Sequence, residues 1–347
     1  MGAPMGGPMG PRTKLVLFRT LQAIPALAGV VLVSFVLTRL LPGDPAAYFA
    51  GPAATEQSIA EIRAAMGLDR SMPEQFLHYV WDLVRGDLGN SVSTGQPVLE
   101  ELARRLPASL ELTLTALLLS CAIALPMGVA AAVNQGRWID HVCRAVVTAG
   151  VSLPTFFTGI VLVYAFYYLL GWAPSPLGRL DFAYLSPPDV TGFYVIDALL
   201  DGDPETALAA VRQMVLPAAT LALFTLAPLA RMARAAMLQA LSSDYIRTAR
   251  AAGLGERQIV YGYAFQNAVL PVITTLGMVF SFMLGANVLV EKVFAWPGIG
   301  SYAVEALVVS DYAAVQGFVL AMAILFVLLN LVIDILYTLV DPRTREG

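Results

Sequence analysis

The sequence predicts an all-α integral membrane protein with about six transmembrane helices, and three observations predict it. Only 13% of the 347 residues are charged, about half the share of an ordinary soluble domain. Mean hydropathy is +0.70, more apolar surface than one soluble core of this length can hide. Six apolar stretches reach the roughly 20 residues that a helix needs to cross a bilayer: 21–41, 110–133, 142–170, 214–232, 269–290 and 315–340. The bilayer is the solvent for most of this chain.

Taken in order, residues 1–13 are a Gly/Pro/Met-rich tail with no apolar run, and 14–41 form the first span. That span has neither the small-residue cleavage site nor the short apolar region of a signal peptide, so it is expected to be retained. Residues 42–108 form a helical cap with three amphipathic stripes: Ile59, Ile62 and Met66, with Ser58 and Glu61 at capping-box spacing; Phe76, Leu77, Val80, Leu83 and Val84; and Val98, Leu99, Leu102 and Leu106. Residues 109–345 hold the other five spans, with an irregular loop over 171–213 containing one short helix, and a polar loop over 240–268. Pro25, Pro126, Pro154, Pro217 and Pro228 fall inside spans, where neighbouring helices can satisfy the freed carbonyls.

Lys and Arg placement orients the chain. With both termini in the cytoplasm, the cytoplasmic segments hold Arg12, Lys14, Arg19, Arg137, Arg144, Arg231, Arg234, Arg247, Arg250, Arg257, Arg343 and Arg345, which is 12 of the 21 basic residues. The same segments hold 6 of the 25 acidic ones. The cap and the 171–213 loop then face outside.

Several chemistries lose their footing. Cys121 and Cys143 lack metal or redox spacing, and His78 and His141 are too few and too far apart for a metal cluster. An intramembrane enzyme needs a catalytic pair at membrane depth, yet no span holds a His, and Asp334 stands alone among acids well inside one. Asp334 is therefore a functional candidate by default, with pairing to a loop arginine as the simpler role. A self-sufficient secondary transporter would show inverted repeats and intramembrane ion ligands, and neither is visible. The chain has no Gly-x-x-x-x-Gly-Lys-Ser/Thr loop, so it does not hold ATP in that way.

The loop between the fourth and fifth spans is the most informative stretch. Asp244-Tyr245-Ile246-Arg247-Thr248-Ala249-Arg250-Ala251 is a short helix of good formers, with Ser242, Ser243 or Asp244 as N-cap and Gly253 as its stop. A second helical piece, 256–268, runs into Pro271. Such a helix–Gly–helix is either built to be gripped by another protein or a solvated loop.

This segment, with Gly253-Leu254, Asn267-Ala268 and Leu270-Pro271, resembles the cytoplasmic coupling loop of ABC importer permeases, in the form of the oligopeptide/dipeptide/nickel branch. Other landmarks match in order: Leu41-Pro42-Gly43-Asp44-Pro45; Met66-Gly67-Leu68-Asp69; Gly86-Asp87-Leu88-Gly89; Arg105-Leu106-Pro107-Ala108-Ser109-Leu110-Glu111-Leu112; Ser152-Leu153-Pro154; Phe294-Ala295-Trp296-Pro297-Gly298-Ile299-Gly300; Asp311-Tyr312; Val315-Gln316-Gly317; and Asp341-Pro342-Arg343. Thr191-Gly192-Phe193 and Ile196-Asp197 look more like dipeptide than nickel permeases.

The resemblance implies a type I ABC importer permease fold in the bacterial cytoplasmic (inner) membrane. It implies a homologous second permease, two cytoplasmic ATPase subunits, an extracytoplasmic substrate-binding protein and membrane lipid as partners, and no nucleic acid. The chain itself would be non-catalytic and hold no cofactor, with ATP and Mg on the ATPase subunits. Its cargo would be di- or oligopeptides, with nickel or glutathione as the alternatives inside the branch. Asp244, Tyr245, Arg247, Thr248, Ala249, Arg250, Ala251, Gly253 and Leu254 would form the ATPase-coupling helix. Arg247 and Arg250 would meet acidic groups of the ATPase, while Ala249 and Ala251 would admit a close backbone. Trp296, Pro297 and Gly298 would make a tight outer turn near the translocation mouth, or an interfacial aromatic anchor. Met278, Ser281 and Asn287 are the candidates to line or gate the path.

Overall fold

A computed structural model of the chain describes residues 11–40, 44–51 and 53–340. The tail to Gly10, the Leu41-Pro42-Gly43 part of the first landmark, Asp341-Pro342-Arg343 and the side chain of Asp334 lie outside the described residues. No strand forms among the described residues; a single isolated bridge joins Asn90 and Pro97. The helices are α1 (Pro11–Leu40), α2 (Pro45–Ala50), α3 (Glu56–Ala65), α4 (Met72–Val84), α5 (Val98–Val133), α6 (Trp138–Gly150), α7 (Thr155–Leu162, continued as a π-helix over Val163–Leu169), α8 (Tyr194–Leu200), α9 (Pro204–Leu241), α10 (Asp244–Ala251), α11 (Glu256–Gln258, continued as a π-helix over Ile259–Ala264), α12 (Phe265–Val293), α13 (Ile299–Val308) and α14 (Tyr312–Val340).

Four helical rods are long and apolar enough to cross a membrane: α5, α9, the continuous run Glu256–Val293, and α14 over Tyr312–Ile333. The stretch expected as one span over 142–170 is instead two helices, α6 and α7, bent by 100°. The cause lies between them. Pro154 has no N–H to give and pushes Leu153 out of helical geometry, so α6 ends at Gly150 and α7 restarts at Thr155. In α1, the described apolar part Ile24–Leu40 is shorter than a full span.

Other boundaries moved for equally local reasons. The third amphipathic stripe, from Val98, is the first part of α5 itself. The 171–213 loop ends early, because Asp203 caps α9 by accepting from the Glu205 and Thr206 amides at 3.1 and 3.0 Å, and Pro204 takes the first helical position. At α3 the N-cap is Thr55, which accepts from the Ser58 amide at 3.3 Å. Ser58 and Glu61 are therefore inside the helix and not its capping box.

The chain divides into two compact units, 1–103 with 302–347, and 104–301. In the first, α1 packs on α14 and α4. Gln316 donates to the Thr38 hydroxyl at 2.8 Å, tying α14 to α1. Asp311 is buried at the head of α14, where its carboxylate accepts from the Ser91 hydroxyl at 2.6 Å and the Ser93 amide at 3.1 Å. Gly317 is glycine because a Cβ there would sit 2.5 Å from a Val98 methyl.

In the second unit α9 is the hub, packing on α12, α8, α7 and α6. Its inner stripe is small: Ala227, Ala230, Ala233, Ala236 and Ala240 are all buried. Small residues let helices close in where lipid supplies no hydrophobic drive. At Gly128 of α5 a Cβ would lie 2.6 Å from the Ala233 Cβ. Arg234 forks onto the buried Asp140 of α6, Nε to Oδ1 at 2.8 Å and Nη2 to Oδ2 at 2.7 Å, a bidentate pair that fixes α6 to α9.

Candidate functional site

The helix α10 forms over the residues expected, with Ser243 at the N-cap and Ala252 at the C-cap. It ends in a Schellman turn: the Leu254 amide donates to the Ala249 carbonyl at 3.2 Å and the Gly253 amide to the Arg250 carbonyl at 3.0 Å. Gly253 holds φ +77 there, a left-handed conformation that costs any other L-residue about 1–2 kcal/mol. Nothing lies within 4 Å of where its Cβ would be, so the backbone alone demands glycine.

One side of α10 is anchored. Ile246 and Ala249 are buried in a cluster with Met237 and Ala240 of α9, Val129 and Ala132 of α5, and Ile259 and Val260. Leu254 packs against the same cluster. Ala249 thus admits a close neighbour from its own chain, unlike the role expected for it. The opposite side is open: Asp244, Tyr245, Arg247, Thr248, Arg250 and Ala251 are exposed. The Arg247 side chain is 79% exposed and lies 3.3 Å from Asp244, one helical turn back. Arg250 already has an acid in this chain, its Nε donating to Glu256 Oε1 at 3.0 Å. That bond bridges the Gly253–Gly255 turn and ties α10 to α11. Because Glu256–Val293 is one continuous helical run, α10 is fastened directly to a membrane span.

The three path candidates on α12 part company. Met278 is exposed, and with Thr274, Phe282, Gly285 and Leu289 it forms an open face. Ser281 is half-buried, and its hydroxyl donates back to the Gly277 carbonyl at 3.0 Å. Asn287 is buried, facing away from that open side.

Asn287 belongs to a polar knot the sequence did not announce. Glu291, 0% exposed, accepts from the Ser109 hydroxyl at 2.5 Å, the Asn287 amide at 2.9 Å and the Ser301 backbone amide at 2.8 Å. The Ile299 amide donates to the Ser109 oxygen at 2.9 Å, and the Trp296 indole to the Ala108 carbonyl at the same distance. Trp296 is 1% exposed, so it is a core residue and no interfacial anchor. Pro297 is exposed and Gly298 buried. A Cβ on Gly298 would fall onto the Glu291 carboxyl and the Ser109 hydroxyl. The Trp296–Gly300 turn is therefore folded over a carboxylate that has enough donors to be satisfied in a buried place.

A second buried pair organises the 171–213 loop. Arg179 donates to Glu111 at 2.5 Å and to the Gly192 carbonyl at 2.7 Å, with its guanidinium 3.6 Å from the Tyr194 ring centre. Asp197 of α8 accepts from the Thr191 amide at 2.8 Å, the Thr191 hydroxyl at 2.7 Å and the Gly192 amide at 2.8 Å. Burial pushes the Asp197 carboxyl up, but these donors together outweigh it and hold the group below the usual range. Glu111 and Glu291 escaped sequence reasoning because each falls at the edge of an apolar stretch, where charge is unremarkable. The available signal was the neighbouring Ser109 and Gly298.

Comparison with known proteins follows the same lines. The family model for the binding-protein-dependent transport system inner membrane component matches residues 124–346, and the model for the N-terminal part of such membrane components matches 12–113. The probable D,D-dipeptide transport system permease protein of Escherichia coli (strain K12) is 46% identical over 321 residues, 92% of this chain and 94% of that one. The di/tripeptide transport system permease protein of Pseudomonas aeruginosa (strain UCBPP-PA14) is 43% identical, covering 93% and 96%. The dipeptide transport system permease protein of E. coli K12 is 38% identical, covering 96% and 99%. Among solved structures, a chain of the MetNI methionine ABC transporter in inward-facing form aligns with TM-score 0.50 at 18% identity, covering 70% of this chain and 97% of that chain, so the fold is shared. The chain belongs to the binding-protein-dependent transport system inner membrane component family, as a permease subunit of the bacterial inner membrane.

Proposed function

We propose that the chain forms half of the translocation path of an ATP-driven importer of di- or oligopeptides. A homologous permease supplies the other half, two ATPase subunits hold ATP and Mg, and a substrate-binding protein delivers cargo from outside. Both termini and α10 lie on the cytoplasmic side, in keeping with the distribution of Lys and Arg. The relatives named above are peptide permeases, which favours peptide over nickel or glutathione as cargo.

One observation carries the reading: α10 is a short charged helix whose buried side is locked to α5 and α9 while its charged side is left open. That is the construction of a lever. A partner gripping the open side moves the spans with it, because the buried Ile246 and Ala249 anchor α10 to α5 and α9, and the Arg250–Glu256 bridge joins it to α11. The open face of α12 through Met278 and Phe282 is the side we assign to the path, and Asn287 is withdrawn from it.

Purification of the tagged chain from its native membrane tests this reading, with mass spectrometry of what accompanies it and peptide uptake in proteoliposomes. A second permease with two ATPases, and uptake that needs ATP and the binding protein, is the expected result. A chain that purifies alone and transports without ATP would overturn it.

A further inference from the structure

The cap helix α4 has two apolar edges, and α1 occupies only one. Phe76 and Tyr79 pack on Phe35 of α1, with ring centres 5.2 and 5.9 Å away, and Gln75 accepts from Arg39 Nε at 3.2 Å. The other edge carries Leu77, Trp81 and Val84, at 67, 55 and 76% exposure. These sit at i, i+4 and i+7, one stripe along the helix. A stripe of that kind marks an interaction surface.

The position of α4 says what covers it. Phe35 lies five residues before Leu40, the last described residue of α1, hence about 7–8 Å along the helix from it at 1.5 Å per residue. An interfacial helix lies about 5–10 Å into the boundary between headgroups and acyl chains. On the side of α1 turned away from Phe35, the apolar Val33, Leu37 and Leu40 are also exposed. Chemistry agrees with position. The Arg85 guanidinium sits 4.5 Å from the Trp81 ring centre, and Trp beside a cation is what membrane interfaces favour. The adjoining edge is polar: the His78 and Asp82 side chains are paired at 3.9 Å, and Arg70, Glu74 and His78 line one concavity with Leu77 and Trp81.

We propose that α4 lies in the bilayer interface, with Leu77, Trp81 and Val84 in the lipid beside the end of α1 and His78 and Asp82 in water. Phospholipid is the occupant of this surface. The cap is then seated on the membrane by its own helix, whatever the transported cargo.

Spin labels on the intact complex in nanodiscs test this, using Leu77→Cys, Val84→Cys and Asp82→Cys in a Cys121→Ser, Cys143→Ser background. Leu77 and Val84 are exposed and Asp82 half-buried, and ATP-dependent uptake by the cysteine-replaced complex confirms that it is folded before labels are read. The expected result is several-fold higher collision with oxygen than with a water-soluble nickel chelate at 77 and 84, and the reverse at 82. Hydroxyl-radical footprinting of the unsubstituted complex gives a second reading, in which Trp81 is protected and His78 modified. Equal access of the chelate to all three sites would overturn the proposal. Protection of 77 and 84 that develops only when the binding protein is added would also overturn it, and would assign the stripe to a protein partner.

Discussion

Ser109 on α5 and Glu291 on α12 are 182 residues apart in sequence, and the serine hydroxyl donates to the carboxylate across 2.5 Å. Around this bond the Trp296–Gly300 turn closes, so one buried acid joins the start of one span to the end of another. Glu291→Leu would strand the Ser109 hydroxyl and the Ser301 N–H in a buried place, while the Asn287 amide keeps Thr113 Oγ1 at 3.2 Å. Each stranded group costs about 1–3 kcal/mol, so a loss of at least about 2 kcal/mol is expected. Denaturation of the purified chain in detergent checks it. Glu291→Gln, which keeps an acceptor, should lose less.

The C-terminus of α12 makes the same Schellman turn as α10, with the Trp296 amide donating to the Glu291 carbonyl at 2.8 Å. Here Ala295, at φ 48, occupies the left-handed position that glycine prefers. Ala295→Gly should therefore raise stability by about 0.5–1 kcal/mol, the relief of left-handed strain less the added freedom of the unfolded chain. A higher unfolding midpoint with unchanged transport is the expected outcome.

Asp197 supplies a pH dependence. Its carboxyl titrates below the usual range in the folded chain, against about 3.9 when unfolded. A depressed folded pKa means the unfolded state binds more protons in acid. The contribution is complete above about pH 4 and is lost as pH falls through the folded value. Comparing Asp197→Asn with the parent, the stability gap should be full at neutral pH and shrink below about pH 4. A gap unchanged down to pH 3 would contradict the assignment.

The Arg250–Glu256 bridge is exposed on both sides, 47 and 69%. Pairs of this kind contribute about 0–1 kcal/mol, so Arg250→Ala should leave the unfolding midpoint almost unchanged. If α10 is a lever, the same change should lower the peptide taken up per ATP hydrolysed, and Arg250→Glu with Glu256→Arg should recover part of it. Loss of stability without loss of coupling would point to a purely structural bridge.

Much of this was legible in the sequence, for physical reasons. Apolar length reveals spans, and α5, α9, α12 and α14 were found where hydropathy put them. α10 and its stop at Gly253 followed from helix formers bounded by a serine and a glycine. What hydropathy cannot see is a bend, because Pro154 is tolerated in a membrane helix as readily as it breaks one. It also cannot see partners across the fold. Trp296 reads equally as part of an outer turn or as an interfacial aromatic until Ala108 accepts its indole proton, and Asn287 reads as a path residue until Glu291 claims it. Ala249 reads as an open contact, but its methyl is spent on its own chain.

The most direct test of the account is ATP hydrolysis by the assembled importer, measured with and without peptide-loaded binding protein, for the parent and for Arg247→Glu. Arg247 is exposed and outside every buried cluster described, so this substitution should leave the unfolding midpoint of the chain intact, and co-purification of the ATPases shows that the complex still assembles. The account predicts that peptide-stimulated hydrolysis and uptake fall together while basal hydrolysis remains. Full stimulation in the Arg247→Glu complex, and also in one carrying Tyr245→Ala, would contradict the assignment of α10 as the coupling helix.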